Sequence, residues 1–168
     1  MREWHDELPV PAGTVRERDE TAATEVVVKR ILVGVDGSDE SAAAVDKAIE
    51  IARAVGANVL LSYIVPRHPP AGPGRYAAEL VRDDKLELSY AAALLRQMEM
   101  RCTRAGVAVD STARTGPVAE TLADLAESDR CDLVVVGHRG RGGVKRTLLG
   151  SVADRLVQIS PRPVLVVR

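Results

Sequence analysis

The residues with the clearest chemical potential lie in a glycine-rich, basic stretch near the end of the chain. Gly137 and Gly140 are followed, after nine further residues, by Gly150 and Ser151. Glycines let backbone N–H groups turn toward a ligand without obstruction by a Cβ atom. A helix that begins near Gly150 would add unpaired amides and a partial positive charge. Four basic residues stand in the same stretch: Arg139, Arg141, Lys145 and Arg146. No acidic residue occurs between positions 138 and 153, so the stretch predicts a site for a phosphate-bearing ligand; a solvated basic face on a flexible loop is the alternative.

The established phosphate and catalytic motifs do not occur in the chain. Neither GxxxxGK[ST] nor a GxGxxG after the first apolar run is present, which argues against a P-loop nucleotide hydrolase and a dinucleotide-binding site. GxSxG and HExxH are also missing. His138 has no neighbouring acid that would orient it as a general base. We therefore expect a binding protein rather than an enzyme, and no catalytic residue is assigned.

Short apolar runs and segments with helical periodicity alternate along the chain. They predict the strands and helices that would position the glycine-rich stretch. Continuous β-branched runs are typical of strands buried on both faces, and they occupy residues 26–28, 30–35, 58–65, 132–136 and 164–167. An alternating run over 107–113 predicts a strand nearer an edge. The order of strand and helix predicts an α/β class with a doubly wound parallel sheet.

Four helices are predicted between these runs. Ser38 or Asp39 can cap the first, which ends at Gly56. The second carries an apolar stripe of Leu88, Ala91, Leu95, Met98, Cys102 and Ala105. Pro117 suits the first position of the third helix, and the last has a stripe of Val152, Leu156 and Ile159. A Pro/Gly-rich loop over 66–74 precedes the second helix.

Ligands of open parallel sheets bind outside the carboxyl ends of the strands. Two segments fall at that edge: residues 34–38, with Asp36 after the first core strand, and the stretch 137–151. Asp36 has a simpler alternative role as an acid at the start of a helix. Ser38 is more typical of a cap than of a ligand, and Ser151 has the alternative of serving as an N-cap alone.

The length, charge and composition of the chain argue against several classes of protein. The chain has 168 residues and a formal net charge of −1, which suits one domain and argues against a nucleic-acid binder. No window approaches 18 consecutive apolar residues, so no transmembrane helix is expected. Cys102 and Cys131 form no CxxC pair, and we expect them to be packing residues. These features predict a cytoplasmic protein without membrane or nucleic-acid partners.

The first 25 residues differ from the rest. They hold seven acidic and three basic residues, with few apolar ones. Such a segment buries too little apolar surface to offset its ordering entropy. We expect a disordered acidic leader over 1–25 and a folded domain over 26–168; an interaction tail anchored by Trp4 is the alternative.

The spacing Gly137-x2-Gly140-x9-Gly150-Ser151 resembles the nucleotide motif of the universal stress protein family, in its ATP-binding branch. Other segments are similar too: ILVGVDGS (31–38), DLVVVGHRGRGG (132–143), LLGSVAD (148–154) and PVLVV (163–167). The resemblance covers residues 29–168. It implies a five-stranded parallel sheet of order 3-2-1-4-5, of the adenine nucleotide alpha hydrolase-like kind, in a homodimer that holds ATP.

The resemblance also implies a role for individual residues. Those expected around the phosphates and ribose are Gly137, Gly140, Gly150 and Ser151, with Arg139, Arg141, Gly142 and Gly143 in the same loop. Gly34, Val35 and Asp36 would lie by the adenosine. Asp36 would accept ribose hydroxyls or help to hold a divalent ion such as Mg²⁺. Ile64 matches a position in the adenine wall, Gly116 would border the base, and Val136 would lie beneath it.

These expectations lead to a stress-response sensor or regulator in which nucleotide occupancy orders the loop 138–149. Three alternatives stay open: a binder of AMP or cyclic AMP on the same fold, a slow ATPase or self-phosphorylating protein, and a pure interaction module. A bare apolar edge strand over 164–167 is a pairing hazard unless it is covered. Pairing with a second copy of the chain is the economical solution.

Overall fold

Strand and helix alternate along the part of the chain that the structure describes. The computed structural model describes residues 28–66, 76–141 and 149–168. The elements are β1 (Arg30–Gly34), α1 (Asp39–Val55), β2 (Asn58–Pro66), α2 (Tyr76–Arg104), β3 (Val109–Gly116), α3 (Val118–Ser128), β4 (Leu133–Gly137), α4 (Ser151–Ile159) and β5 (Val164–Val167).

The five strands form one parallel sheet in the order β3-β2-β1-β4-β5. The predicted class, strand number and strand order are therefore confirmed. The chain moves outward from β1 through β2 to β3 and then crosses back to β4. This reversal makes the carboxyl ends of β1 and β4 the switch point of the sheet, which is where such folds place ligands.

Alternate side chains of each strand pack against a different helical layer, because successive Cβ atoms point to opposite faces. Ile31 and Val33 belong to a buried cluster that includes residues of α1 and α2. Leu32 and Val134 belong to a second cluster with residues of α3 and α4. The apolar runs are continuous because both faces of β1 are covered, and Ile31, Leu32 and Val33 are fully buried.

The ends of α1 agree with the sequence prediction. The side chain of Ser38 caps the helix by accepting a hydrogen bond from the Ser41 amide at 3.1 Å. Gly56 ends it in the left-handed region, at φ +72°, a conformation that residues other than glycine rarely adopt.

Two local predictions were wrong, and the alternative role of Ser151 as an N-cap is contradicted. Gly150, and not Ser151, is the N-cap of α4, and Ser151 is its first helical residue. Pro117 is the N-cap of α3 and lies one position before the helix. Leu88 is 47% exposed although the stripe predicted it to be buried, whereas Leu94, outside the stripe, is 9% exposed. Local periodicity does not report which side of α2 meets the sheet at this point.

Several predicted features lie outside the described residues. These are the acidic leader over 1–25, most of the run 26–28 and nearly all of the Pro/Gly-rich loop over 66–74. Among the residues that the structure describes, no helix is long and apolar enough to cross a membrane.

The contribution of α4 to the core can be tested with two neighbouring residues. Leu156 is fully buried, whereas Val157 is 55% exposed. Leu156→Ala is expected to lower the free energy of unfolding by about 2–5 kcal/mol, because it leaves a cavity in the α3–α4 layer. Val157→Ala is expected to change it by less than about 0.5 kcal/mol. Urea denaturation measures both, and equal effects would contradict the assigned packing.

Candidate functional site

The carboxylate of Asp36 joins two segments that are far apart in the sequence. Its Oδ1 accepts hydrogen bonds from the Ser38 amide at 2.9 Å and from the Ser38 hydroxyl at 2.6 Å. Its Oδ2 accepts one from the Arg141 amide at 2.9 Å. Asp36 therefore fixes the turn after β1 and also attaches to it the segment that follows β4.

These hydrogen bonds govern the ionisation of Asp36. Partial burial alone would raise the pKa of this carboxyl, but the bonds from Ser38 and Arg141 outweigh burial and hold the pKa below its usual value. Hydrogen bonds to the charged form favour that form. The group is therefore an anion at neutral pH, and it accepts hydrogen bonds from three donors.

Three of the glycines in the motif lie in close packing within the protein itself. A Cβ atom on Gly140 would overlap the Asp36 carboxylate. One on Gly137 would lie 2.8 Å from the backbone of Glu40, in the first turn of α1. One on Gly150 would lie 3.1 Å from the His138 carbonyl oxygen. The glycines thus bring the end of β4, the start of α1 and the start of α4 close together.

The start of α4 is attached to the end of β4. The Gly150 amide donates to the carbonyl of His138 at 2.7 Å, and the His138 amide donates to the carbonyl of Val167 at 2.6 Å. The Gly150 amide is thus used within the protein. The amides of Ser151, Val152 and Ala153 have no partner within the helix because they precede the first complete turn, whereas the Asp154 amide donates to the Gly150 carbonyl at 2.9 Å. The first three amides carry the partial positive charge of the helix start.

The predicted apolar residues lie on both faces of the sheet. Ile64 and Val136 belong to the α3–α4 cluster, and Gly34 faces the same side, where a Cβ atom would lie 3.2 Å from Val136. Val35 belongs instead to the α1–α2 cluster. Gly116 ends β3, and a Cβ there would lie 2.5 Å from the Thr121 hydroxyl.

Arg141 contacts three side chains that the sequence did not single out. Its Nη1 donates to the hydroxyl of Tyr63 at 2.9 Å and to Glu87 Oε1 at 3.1 Å. Its guanidinium carbon lies 4.9 Å from the centre of the Tyr90 ring. The sequence predicted a cation directed at a ligand, and in the structure the Arg141 side chain pairs with an acid of α2. The available signal for such a partner was Tyr63, an aromatic residue with a polar tip in β2.

Part of the predicted site falls outside the described residues. Gly142, Gly143, Lys145 and Arg146 lie in the undescribed range 142–148. Within the described ranges, no group of three or more His, Cys, Asp or Glu residues could hold a metal ion. Asp36 is the one predicted metal ligand, and a metal there would depend on oxygens from a ligand or from water.

The sequence matches one family model and is similar to individual proteins of that family. A family model described as the universal stress protein family matches residues 28–168. A universal stress protein of Methanocaldococcus jannaschii is 34% identical over 145 residues, which cover 86% of this chain and 84% of that protein. Each is a similarity over nearly all of the described domain.

Solved structures show the same architecture. The universal stress protein UspA from Lactobacillus plantarum superimposes with a TM-score of 0.76 at 28% identity, over 84% of this chain and 98% of that one. A universal stress protein in complex with cAMP superimposes with a TM-score of 0.65 at 31% identity, again over 84% and 98% of the two chains.

The hydrogen bonds to Asp36 predict that the Asp36→Asn variant is less stable than the wild type, by an amount that depends on pH. Asp36→Asn is expected to cost about 1–2 kcal/mol at pH 7, because it weakens hydrogen bonds to a charged acceptor. Folding depresses the pKa of Asp36, so the ionised carboxylate adds to the free energy of unfolding. This contribution is fully present above the unfolded pKa of about 3.9 and is lost as pH falls through the lower folded pKa.

Thermal unfolding at pH 7 and near pH 3 tests this expectation. The difference in Tm between the wild type and Asp36→Asn should be largest at pH 7 and should shrink at the acidic pH. Asp124→Asn, on the exposed surface of α3, is the matched control and should leave Tm nearly unchanged. A difference for Asp36→Asn that stays constant over this range would contradict the assigned hydrogen bonds.

Proposed function

The chain belongs to the universal stress protein family, and on that premise we propose that it binds an adenine nucleotide at the carboxyl ends of β1 and β4. Nucleotide occupancy would then act as the signal of a stress-response regulator. The observation that carries the proposal is the bond from the Arg141 amide to Asp36. This bond holds the segment 137–141 over the turn after β1 and beside the start of α4.

The chemistry of this edge suits a nucleotide. The start of α4 offers amides and positive potential to phosphates, and Gly140 and Gly150 add no side-chain bulk to the segments beside it. Asp36 is a negatively charged acceptor suited to ribose hydroxyls. We propose that the phosphates and ribose lie among Gly137, Arg139, Gly140, Arg141, Gly150 and Ser151.

The base would lie toward β2 and β3. Ile64 and Val136 share one buried cluster on the α3–α4 face, and we propose that the purine lies against the edge of this cluster. Gly34 lies on the same face, Gly116 ends the neighbouring strand, and Val35 contributes backbone at the end of β1. In this arrangement the nucleotide crosses the edge of the sheet, with its base over β2 and its phosphates near α4.

A divalent ion such as Mg²⁺ would accompany a triphosphate. Magnesium at phosphate sites uses one or two carboxylates together with phosphate oxygens and water. Asp36 fits the part of a single carboxylate ligand. Its two oxygens offer about four lone-pair positions, of which hydrogen bonds from Ser38 and Arg141 use three. One position therefore remains, for the ion or for a ribose hydroxyl.

Cyclic AMP is the second candidate ligand. The solved relative at 31% identity is a complex with cAMP, so the ligand of that relative is an adenine nucleotide with a single phosphate. ATP, AMP and cAMP share the base and the ribose and differ in phosphate charge and geometry. Titration with each of the three therefore identifies the preferred nucleotide.

Isothermal titration calorimetry with Gly140→Val tests the proposed site. The wild type is expected to bind at least one of these nucleotides. Gly140→Val is expected to weaken that binding at least tenfold, because its side chain would push the segment 137–141 away from Asp36. Ala108→Val adds similar bulk at an exposed position next to the amino end of β3 and should bind normally. Retained affinity in Gly140→Val would refute the location.

We also propose that the protein forms a homodimer through β5. This strand ends the sheet order, and its four apolar residues are all partly exposed. The carbonyls of Pro163 and Val167 accept hydrogen bonds from the β4 side. Since strand groups alternate in direction, the N–H and C=O of Val166 point to the open edge.

Proline substitution tests the dimer. Val166→Pro removes an outward N–H and is expected to give monomers in multi-angle light scattering while the link between β4 and β5 persists. Ser111→Pro makes the equivalent change on the outer edge of β3, since the neighbouring Ala108 carbonyl faces β2, and should leave the dimer intact. An unchanged mass for Val166→Pro would count against this interface.

A further inference from the structure

Four side chains from two elements and one loop meet beside the proposed site. We refer to Tyr63 on β2, Glu87 and Tyr90 on α2, and Arg141 after β4 as the Arg141 cluster. Tyr63 donates its hydroxyl hydrogen bond to Glu87 and accepts one from Arg141. Arg141 also pairs directly with Glu87 at 3.1 Å. The two tyrosine rings meet edge to face, with their centres 6.1 Å apart.

The tyrosine rings of the Arg141 cluster pack against the protein, whereas its charged groups are partly exposed. Tyr63 is buried, and Tyr90 lies against the turn after β1, where a Cβ atom on Gly37 would overlap its hydroxyl. The charged ends are more accessible, with the side chains of Arg141 50% exposed and Glu87 33% exposed. An ion pair in such surroundings is weakened by water and salt. Arg141 can therefore exchange Glu87 for another anion at low cost.

The guanidinium of Arg141 lies against Tyr63 of β2 and Tyr90 of α2, and once released from Glu87 its flexible side chain can turn toward the proposed phosphates. The backbone of Arg141 lies at the phosphate end of the site. Its amide is bonded to Asp36, and the preceding residue is Gly140. Guanidinium groups pair with carboxylates and phosphates through the same planar arrangement of donors. Nucleotide phosphates at this edge would thus compete with Glu87 for one cation.

We infer that Glu87 is a specificity-determining residue, which holds Arg141 and so limits how strongly the site prefers nucleotides with more phosphate charge. This inference rests on the proposed nucleotide function and deepens it. Adenosine carries no phosphate and does not compete for Arg141. AMP competes weakly and ATP most strongly, so the preference among these ligands depends on an acid of α2.

The surroundings of Glu87 support this assignment. Burial raises the pKa of Tyr63, and the neighbouring Glu87 raises it further, so the phenol keeps its proton at neutral pH and remains a donor to the carboxylate. The Tyr90 ring provides a face for the guanidinium. The cluster thus keeps Arg141 near the site while Glu87 neutralises its charge.

Calorimetric titration with ATP, AMP and adenosine at one fixed ionic strength tests the inference. The quantity to compare is the ratio of the adenosine Kd to the ATP Kd. Glu87→Gln keeps the shape and removes the charge, and it is expected to raise this ratio about three- to tenfold. AMP should show a smaller rise. Glu87→Ala removes the charge in a second way and is expected to raise the ratio as well.

Two further variants serve as controls for the role assigned to Glu87. Glu127→Gln makes the same change at an exposed position near the end of α3, at the amino end of the sheet, and should leave the ratio unchanged. Arg141→Gln removes the cation and is expected to lower the ratio below that of the wild type. Thermal unfolding of each variant verifies that the domain is folded.

The outcomes separate the inference from the function on which it rests. If the wild type binds ATP but neither Glu87 variant raises the ratio, the inference is overturned and the proposed nucleotide site stands. If Glu127→Gln raises the ratio equally, net charge rather than the cluster is responsible, and the inference is again overturned. If the wild type binds none of the three ligands, the proposed function fails and the inference fails with it.

Discussion

The candidate site depends on the hydrogen bonds that converge on the Asp36 carboxylate. They connect the turn after β1 to the backbone of Arg141, which lies 105 residues later in the chain. The donors keep the carboxylate charged, and the charge in turn strengthens each bond. Removal of this group would release the segment after β4 from the turn after β1, and the edge between the two strands would lose its shape.

Glycine at the motif positions has a structural reason that is separate from ligand binding. At Gly137 and Gly140 a side chain would collide with Glu40 and Asp36, and at Gly150 it would make tight contacts with the backbone of the segment 138–139. The same close packing brings the end of β4 beside the start of α4, where helix amides are available. In physical terms, one set of contacts satisfies both the fold and the proposed phosphate site.

Much of the fold could be predicted from the sequence because its signals are local. Continuous apolar runs such as 30–35 mark doubly buried strands, and Ser38 and Gly56 mark the ends of α1. The family resemblance implied the strand order. The partners of Arg141 could not be predicted in this way, since Tyr63 and Glu87 approach it only through the packing of α2 on β2. The exposed position of Leu88 has the same origin, because periodicity does not show which turn of α2 meets the sheet.

The most direct test of the central claim is a titration of isotopically labelled protein with ATP, followed by two-dimensional amide NMR. If the carboxyl ends of β1 and β4 hold the nucleotide, the largest shifts will occur at residues 36–38, 137–141 and 150–152. Amides at the opposite end of the sheet, around Gly56 and Gly106, will change little. Saturating ATP that shifts no amide, or that shifts mainly those at the opposite end, would contradict the account.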